Sequence, residues 1–168
     1  MIEVTLADGR RITVECLNCA LVEGLIEPTG GVVYESPHFH VHQDVAYPVP
    51  GLVIVAARRH YKALDEMTEE ESRDFISTVR LVRQAQREAL GVEVVCYFYN
   101  EDTTHHFHLW MVPRYSWMYE LGRSVQSLRP VLLHAREHMS DPKSVDEVRR
   151  ATERLRTRLA TGGGRVAG

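Results

Sequence analysis

The stretch Thr104-His-His-Phe-His-Leu-Trp-Met-Val-Pro-Arg114 decides the fold, because it places histidines where a β-strand would present them together. On a strand, the side chains of residues 106, 108 and 110 leave the same face. Two of these residues are His106 and His108, whose Cβ atoms would lie about 7 Å apart. One imidazole could therefore bind a metal while the other stays free as a nucleophile or general base.

Hydrophobic patterns around this stretch predict a single α+β domain over residues 1–160. The first fifteen residues predict a hairpin, whose turn lies at Ala7-Asp8-Gly9. Further strands are predicted at 32–36, 39–44, 52–57, 92–100 and 105–112, which together predict a mainly antiparallel sheet. The segment 92–100 is almost wholly apolar, and this predicts that it is a central strand.

Helical spacing predicts one long helix before the last two strands and two helices after them. The long helix is predicted to begin at Thr68, which has capping-box spacing with Glu71, and to end at Gly91. The C-terminal helices are predicted at roughly 123–139, interrupted by Pro130, and at roughly 145–160. The glycine-rich residues 161–168 are predicted to form a disordered tail.

Composition excludes several classes of protein. Of 168 residues, 44% are hydrophobic and 26% are charged, which is typical of a globular chain rather than a disordered one. The net charge of −3 argues against a nonspecific nucleic-acid or membrane-surface binder, since such proteins rely on summed basic charge. No apolar run approaches the roughly 20 residues that span a bilayer, and the N-terminus lacks an export-signal pattern. The predicted compartment is therefore the cytoplasm.

Cys16 and Cys19 form a Cys-x-x-Cys pair near the N-terminus. In a chain without an export signal, this spacing favours a metal site or a redox pair over a structural disulfide. Two thiolates can share one tetrahedral zinc ion, but such a site needs further ligands, and the chain contains 9 histidines. The spacing alone leaves zinc binding and thiol redox chemistry both open.

The remaining histidines have simpler interpretations. His38, His40 and His42 alternate along one predicted strand, which favours a solvated strand face or a pocket wall over a second metal site. His134 and His138 lie four residues apart and are interpreted as a solvated helix face. Cys96 is interpreted as core, and the arginines of the last helix as a solvated or interface face.

With its Pro113-Arg114 end, the segment from His106 to Arg114 resembles the signature of the histidine triad (HIT) superfamily of nucleotide hydrolases and transferases. That signature is His, apolar, His, apolar, His, two apolar residues and often Pro-Arg, so the triad positions here are 106, 108 and 110. Upstream, the segment from Val53 to His60 resembles the family's strand that ends in a basic pair and a histidine. Cys16-x-x-Cys19 is typical of the zinc-bearing branch. The resemblance covers roughly residues 14–116 and implies a HIT-like fold that forms a homodimer.

The resemblance implies roles for individual residues. A structural zinc ion would be bound by Cys16, Cys19, His60 and His106. His108 would attack the α-phosphorus of a nucleotide and form a covalent nucleotidyl-histidine intermediate, which water or another acceptor then releases.

The resemblance also implies a set of nucleotide-binding residues. Asp44, sixteen residues before His60, stands where family members hold the ribose hydroxyls. Asn100, Thr103 and Thr104 stand where the family contacts phosphates or the leaving group. The connection NEDTTHH is shorter than usual and adds two carboxylates, which departs from relatives that use polyphosphate substrates.

Trp110 is the main departure, because the family has histidine or glutamine at this third position. The indole keeps one hydrogen-bond donor, and its ring could stack on a base or sugar. The favoured function is that of a hydrolase or nucleotidyl transferase acting on a nucleoside phosphate ester, anhydride or phosphoramidate. A phosphorylase or uridylyltransferase-like enzyme and a non-catalytic, zinc-stabilised nucleotide-binding protein are the alternatives.

Overall fold

A computed structural model describes residues 1–102 and 106–162 of the protein. Within these ranges the strands are β1 (Ile2–Thr5), β2 (Arg11–Val14), β3 (Val32–Glu35), β4 (Phe39–Gln43), β5 (Val53–Ala57), β6 (Val95–Phe98) and β7 (His108–Pro113). The α-helices are α1 (Leu17–Val22), α2 (Glu69–Leu90), α3 (Leu128–His138) and α4 (Pro142–Gly162). Short 3-10 helices occupy Leu64–Glu66, Ser116–Leu121 and Val125–Ser127. The α+β class and the N-terminal hairpin are confirmed.

Five strands form one antiparallel sheet in the order β3-β4-β5-β7-β6. The prediction that 92–100 is a central strand was wrong, because β6 lies at the edge of this sheet. Val94 and Tyr97 remain 46% and 49% exposed there, so an apolar sequence did not imply burial on both faces. The centre belongs to β5, whose five residues are all buried.

The two faces of the sheet have different surroundings. Phe39, Val41 and Val53 point to one face, where they join the main hydrophobic core with Val82 of α2 and Leu155 of α4. The opposite face carries the histidines of β4 and β7. Helix α3 covers the part of that face around Leu52 and Val112. The long helices α2 and α4 thus pack on one face of the sheet and leave the histidine face available for a site.

The predicted ends of α2 are confirmed. The Thr68 side chain accepts the Glu71 backbone N–H, the Glu71 carboxylate accepts the Thr68 N–H, and Gly91 ends the helix with a φ of 68°. Arg59 donates two hydrogen bonds to the same carboxylate, at 2.9 and 2.8 Å. Because Arg59 precedes His60, this ion pair ties the loop after β5 to the start of α2.

The helices at the two ends of the chain differ from the prediction. The Cys-x-x-Cys segment lies at the start of helix α1, in a region where no helix was predicted. Pro130 does not interrupt α3, since it lies in the first turn, where its missing N–H has no helical partner to lose. Helix α4 begins at Pro142 because the Asp141 carboxylate accepts the N–H groups of Lys143 and Ser144.

Helix α4 continues through Gly162, and residues 163–168 of the predicted tail lie outside the described residues. Over the described part of the chain, no helix combines the length and apolar character needed to cross a membrane.

Replacing Glu71 by glutamine should lower the free energy of unfolding by about 1–2 kcal/mol at pH 7. Arg59, with the Thr68 backbone, lowers the pKa of Glu71 to about 2, so the ionised carboxylate stabilises the folded state. This contribution is complete above the unfolded-state pKa of about 4.5 and is lost as the pH falls towards 2. Urea unfolding of wild type and Glu71→Gln should therefore show a difference that shrinks below pH 4.5. Glu70→Gln changes an exposed neighbour and is the control. Its free energy of unfolding should stay within about 0.5 kcal/mol of wild type both at pH 7 and below pH 4.5.

Candidate active site and metal centre

Four side chains from three separate segments converge at the beginning of β7. Cys16 and Cys19 come from α1 and the residue before it, His60 follows β5, and His106 precedes β7. Their ligand atoms all lie within 4.8 Å of one another. The Sγ–Nδ1 distances are 3.3 Å for Cys16–His106, 3.1 Å for Cys19–His60 and 3.4 Å for Cys19–His106. A tetrahedral zinc ion would separate sulfur and nitrogen ligands by about 3.5 Å, so this donor set fits zinc.

A hydrogen bond to the backbone sets the protonation of His106. Its Nε2 donates to the carbonyl oxygen of Ala57 at 2.7 Å, so Nδ1 carries the lone pair and faces the two sulfur atoms. Burial, together with the neighbouring Cys16 sulfur, raises the pKa of Cys19 to about 11. Without a cation the Cys19 thiol would stay protonated, and a divalent ion is the charge that would hold two thiolates together.

His108 is the first residue of β7 and is buried beside this cluster. Its Nδ1 donates to the carbonyl oxygen of His106 at 2.9 Å, which leaves the lone pair on Nε2. Burial lowers the pKa of His108 and so favours the neutral imidazole. A neutral imidazole with an unprotonated Nε2 is a competent nucleophile towards phosphorus.

The strand register places further polar residues opposite His108. His40 of β4 pairs with Ala56 of β5, and Ala56 pairs with His108 of β7. In the next row, His42 pairs with Ile54, which pairs with Trp110. Directly opposed residues in an antiparallel sheet point to the same face. The two histidines of β4 form one wall, the two β7 residues form the other, and Ala56 and Ile54 of β5 form an apolar floor between them. The walls stand two strand spacings apart, or about 10 Å.

His40 and His42 are only 1% and 2% exposed, so the prediction of a solvated strand face was wrong for them, and the alternative of a pocket wall fits. Their Nδ1 atoms are 3.1 Å apart. Two neutral imidazoles in this contact share one proton, so one Nε2 of the pair is a donor and the other an acceptor. Burial lowers the pKa of both residues, which keeps the pair neutral.

This combination of a His-x-His strand with its opposing groove is matched by a known family. The model of the HIT domain matches residues 27–117. The chain belongs to the HIT family. Membership of this family supports a nucleotide-binding hydrolase or transferase in general terms.

Individual HIT proteins resemble the chain over most of its length. An uncharacterised HIT-like protein of Methanocaldococcus jannaschii is 28% identical over 105 residues, which cover 60% of this chain and 79% of that protein. A zinc-bound histidine triad family protein of Mycobacterium smegmatis superposes with a TM-score of 0.63 at 23% identity, over 88% of this chain and 94% of that one. A hypothetical histidine triad nucleotide-binding protein of Sulfolobus tokodaii gives a TM-score of 0.63 at 18% identity, over 91% and 100%. The structural matches confirm the HIT-like fold.

Asp44 lies at the end of β4 in the HIT domain and is buried. One carboxylate oxygen accepts the backbone N–H groups of Ala46 and Tyr47, both at 2.8 Å. Burial raises the pKa of Asp44 to about 6, although these hydrogen bonds oppose the shift. The residue therefore shapes the turn after β4, and among the described residues its other carboxylate oxygen accepts no hydrogen bond.

The other expected nucleotide-binding residues lie in the connection between β6 and β7. Asn100 is half-buried and has a partner among its neighbours. Thr103 and Thr104 lie outside the described residues, as does His105.

Trp110, at the third position of the HIT signature, is half-buried between two other rings. Its ring centroid lies 5.9 Å from that of Tyr47, 6.1 Å from that of Phe98 and 6.4 Å from that of His108. Among the described residues the indole N–H has no hydrogen-bond partner. The ring therefore continues the groove from His108 towards α3.

Sequence reasoning missed the contribution of α3 to this part of the groove. Arg136 of α3 stacks on Tyr47 at 4.3 Å, next to Trp110. Its positive charge also lowers the pKa of Asp44, against the larger effect of burial. The amphipathic pattern of α3 showed that the helix would pack, but no short-range signal showed against which face of the sheet.

We expect one zinc ion per chain in the purified protein and none in Cys16→Ala. Native mass spectrometry and elemental analysis measure this directly. Cys96→Ala is the matched control, because Cys96 is a half-buried residue of β6 outside the four-residue cluster, and it should retain zinc. Chelation should also lower the melting temperature of wild type but not that of Cys16→Ala. A free, readily titrated thiol pair in wild type would instead support redox chemistry.

Proposed function

We propose that the protein is a nucleotide hydrolase or nucleotidyl transferase whose nucleophile is His108. The observation that carries this proposal is the hydrogen bond from His108 Nδ1 to the His106 carbonyl, which leaves an unprotonated Nε2 in a buried groove. Its substrate would be a nucleoside phosphate ester, anhydride or phosphoramidate.

The proposed reaction has two steps. The Nε2 lone pair attacks the α-phosphorus and forms a P–N bond, while the bond from phosphorus to the leaving group breaks and the leaving group takes the electron pair. Attack by a neutral imidazole needs no prior deprotonation, so His108 requires no separate base. Water or another acceptor then attacks the nucleotidyl-histidine, and Nε2 departs as the leaving group.

The four-residue cluster is proposed to bind zinc as a structural ion, through Cys16, Cys19, His60 and His106. Zinc with four protein ligands has no open position, so it would stabilise the fold and take no part in the reaction. His106 links the cluster to the site, since it precedes His108 by two residues and its carbonyl oxygen accepts the hydrogen bond from His108 Nδ1. The cluster thereby holds the nucleophile in place.

The β4 wall is proposed to bind the nucleoside. The free oxygen of Asp44 suits a ribose hydroxyl, and the neutral His40–His42 pair offers one donor and one acceptor at its Nε2 atoms. The roles of Asn100, Thr103 and Thr104 at phosphate, and of Trp110 next to His108, are part of the same proposal. The cytoplasm stays the proposed compartment.

Two further functions keep the same site but change the outcome. Release of the nucleotide to an acceptor other than water would make the protein a phosphorylase or a uridylyltransferase-like enzyme. A groove that binds nucleotide without forming the P–N bond would make it a zinc-stabilised binding protein. Trp110 motivates both, because it replaces a side chain that would donate to a phosphate oxygen.

Intact-protein mass spectrometry should detect a nucleotidyl adduct on wild type and none on His108→Ala. The panel should contain dinucleoside polyphosphates, nucleoside phosphoramidates and nucleotide sugars, and the adduct mass then identifies the nucleotide. His134→Ala is the control, since the ring contacts of His134 are with Trp117 and His138 and not with the histidines of the sheet, and it should form the adduct as wild type does. Nucleotide affinity that is equal in wild type and His108→Ala, with no adduct in either, would support the binding protein instead.

We also propose that the protein forms a homodimer through the outer edge of β6. On this side β6 has no strand partner among the described residues, and Tyr97 and Val94 are exposed. At the other edge of the sheet, Arg156 of α4 donates to the carbonyl oxygen of Val32, at the start of β3, and to that of Gly30 just before it. An unpaired strand with exposed apolar side chains is suited to pairing with a second copy.

Tyr97→Lys should convert the dimer to a monomer at micromolar concentration, because a charge on the strand edge opposes pairing. Size-exclusion chromatography with light scattering measures the change. Leu25→Lys is the control: Leu25 is 75% exposed but lies far along the chain from β6, so this variant should remain dimeric. A monomeric wild type, or a dimeric Tyr97→Lys, would contradict this arrangement.

A further inference from the structure

A cavity of about 500 Å³ lies where the HIT domain meets the C-terminal helix α4. One side is formed by Tyr115, Ser116 and Trp117, which follow β7 at the end of the HIT match. The other side is formed by side chains between Glu147 and Arg154 of α4, a helix that lies beyond the match. The residues that line this cavity are not those of the histidine groove or of the four-residue cluster. It is therefore a separate site, which the HIT domain alone does not form.

The apolar side of the cavity is held in place by contacts behind it. The Tyr115 hydroxyl donates to the carbonyl oxygen of Pro50 at 2.7 Å. Trp117 packs against His134 with 5.3 Å between the ring centroids, and Leu90 of α2 extends the apolar surface. Both aromatic rings stay partly exposed. Rings fixed in this way offer their faces to a flat ligand at little cost in side-chain entropy.

The α4 side of the cavity carries charges of both signs. Glu147, Arg150 and Arg154 lie on one face of the helix, at positions i, i+3 and i+7. The small side chain of Ala151 lies between them and leaves room for a ligand. Arg150 pairs with Asp146, one turn earlier. Within the described part of the chain, neither Glu147 nor Arg154 forms an ion pair, so the cavity presents one carboxylate and one guanidinium to a ligand.

These two charged groups are spaced to bind the two ends of one small polar group. Arg154 follows Glu147 by seven residues, which places their Cα atoms about 10 Å apart along α4. Both side chains are exposed and long enough to turn towards Ala151 between them. The charge of Arg154 lowers the pKa of Tyr115, against the larger effect of burial, so the guanidinium lies near the aromatic side. A carboxylate, an ammonium group and a flat apolar ring in one ligand would match all three features.

We propose that this cavity binds an aromatic amino acid as a free zwitterion. The carboxylate of the ligand binds the Arg154 guanidinium, which can donate two parallel hydrogen bonds. The ammonium group binds the Glu147 carboxylate, and the side chain lies against the rings of Tyr115 and Trp117. A nucleotide is a poorer match, because Glu147 would repel its phosphates. No bond forms or breaks in this site, and His108 takes no part in it.

NMR titration of the purified protein tests the site directly. The chain has 2 tryptophans, and L-phenylalanine should shift the indole N–H resonance of Trp117 but not that of Trp110. The shift should saturate with a Kd of about 1 mM or lower. L-Alanine lacks the ring, 3-phenylpropanoate lacks the ammonium group and phenethylamine lacks the carboxylate, so each should bind at least about 10-fold more weakly. His108→Ala should bind L-phenylalanine as wild type does, which separates this test from that of the proposed function.

Two substitutions assign the charged groups of the ligand to their partners. Arg154→Met should weaken L-phenylalanine binding at least about 10-fold but should not weaken phenethylamine, which has no carboxylate. Glu147→Gln should weaken L-phenylalanine by a similar factor but should not weaken 3-phenylpropanoate, which has no ammonium group. Arg149→Met and Glu153→Gln are the matched controls, because both residues are exposed on α4 and neither lines the cavity. Both controls should bind all four compounds as wild type does.

Three results would overturn the proposal. Equal affinity for L-alanine and L-phenylalanine would mean that the rings take no part in binding. Equal affinity for 3-phenylpropanoate and L-phenylalanine would mean that the cavity binds an aromatic anion and that Glu147 is not a partner. A Trp117 resonance that does not shift with L-phenylalanine would mean that the cavity binds no aromatic amino acid. Each result leaves the chemistry proposed for His108 untouched.

Discussion

The hydrogen bond from His106 Nε2 to the carbonyl oxygen of Ala57 is the constraint on which the site depends. It joins the start of β7 to the end of β5, and it directs Nδ1 towards the cysteine sulfurs. Two backbone hydrogen bonds of the neighbouring Phe107, with Ala57 and Tyr61, hold the same junction. If His106 turned away from Ala57, the donor set would lose one of its four atoms. The backbone carbonyl of the same residue accepts the hydrogen bond from His108 Nδ1, so one residue serves both the cluster and the proposed nucleophile.

The central strand β5 provides the floor of the groove, whose side chains are small and apolar next to His108. Ala56 lies between His40 and His108, and its methyl group leaves the space between the two walls open. The odd-numbered residues of β5 point into the core below α2 and α4, so the strand cannot shift without unpacking that core. Burial of this kind keeps the histidines of the groove neutral, since charging an imidazole in an apolar environment is unfavourable. Packing and protonation are therefore set together.

The C-terminal helices extend the HIT domain on two sides. Helix α4 packs against α2 and β3, and its Arg156 occupies backbone carbonyls at that edge of the sheet. Helix α3 covers the other end of the histidine face and brings Arg136 next to Tyr47 and Trp110. Trp110, which stands at the third position of the HIT signature, thus lies next to a wall formed by α3, a helix outside the signature. A tryptophan there packs against the rings of Tyr47 and Phe98. The smaller ring of a histidine would make less contact with them.

The sequence by itself determined the features that depend on short spacings. The capping box of α2, the hairpin turn and the alternation of residues 106, 108 and 110 are local, so pattern and propensity identify them. The resemblance to the HIT signature also placed Cys16, Cys19, His60 and His106 in one group, and the structure brings their ligand atoms together. Only the tertiary structure decided which strand is central, that His40 and His42 are buried opposite His108, and where α3 packs. These depend on strand order and on contacts between residues distant in the chain, and an apolar or alternating sequence has the same appearance at the edge of a sheet as at its centre.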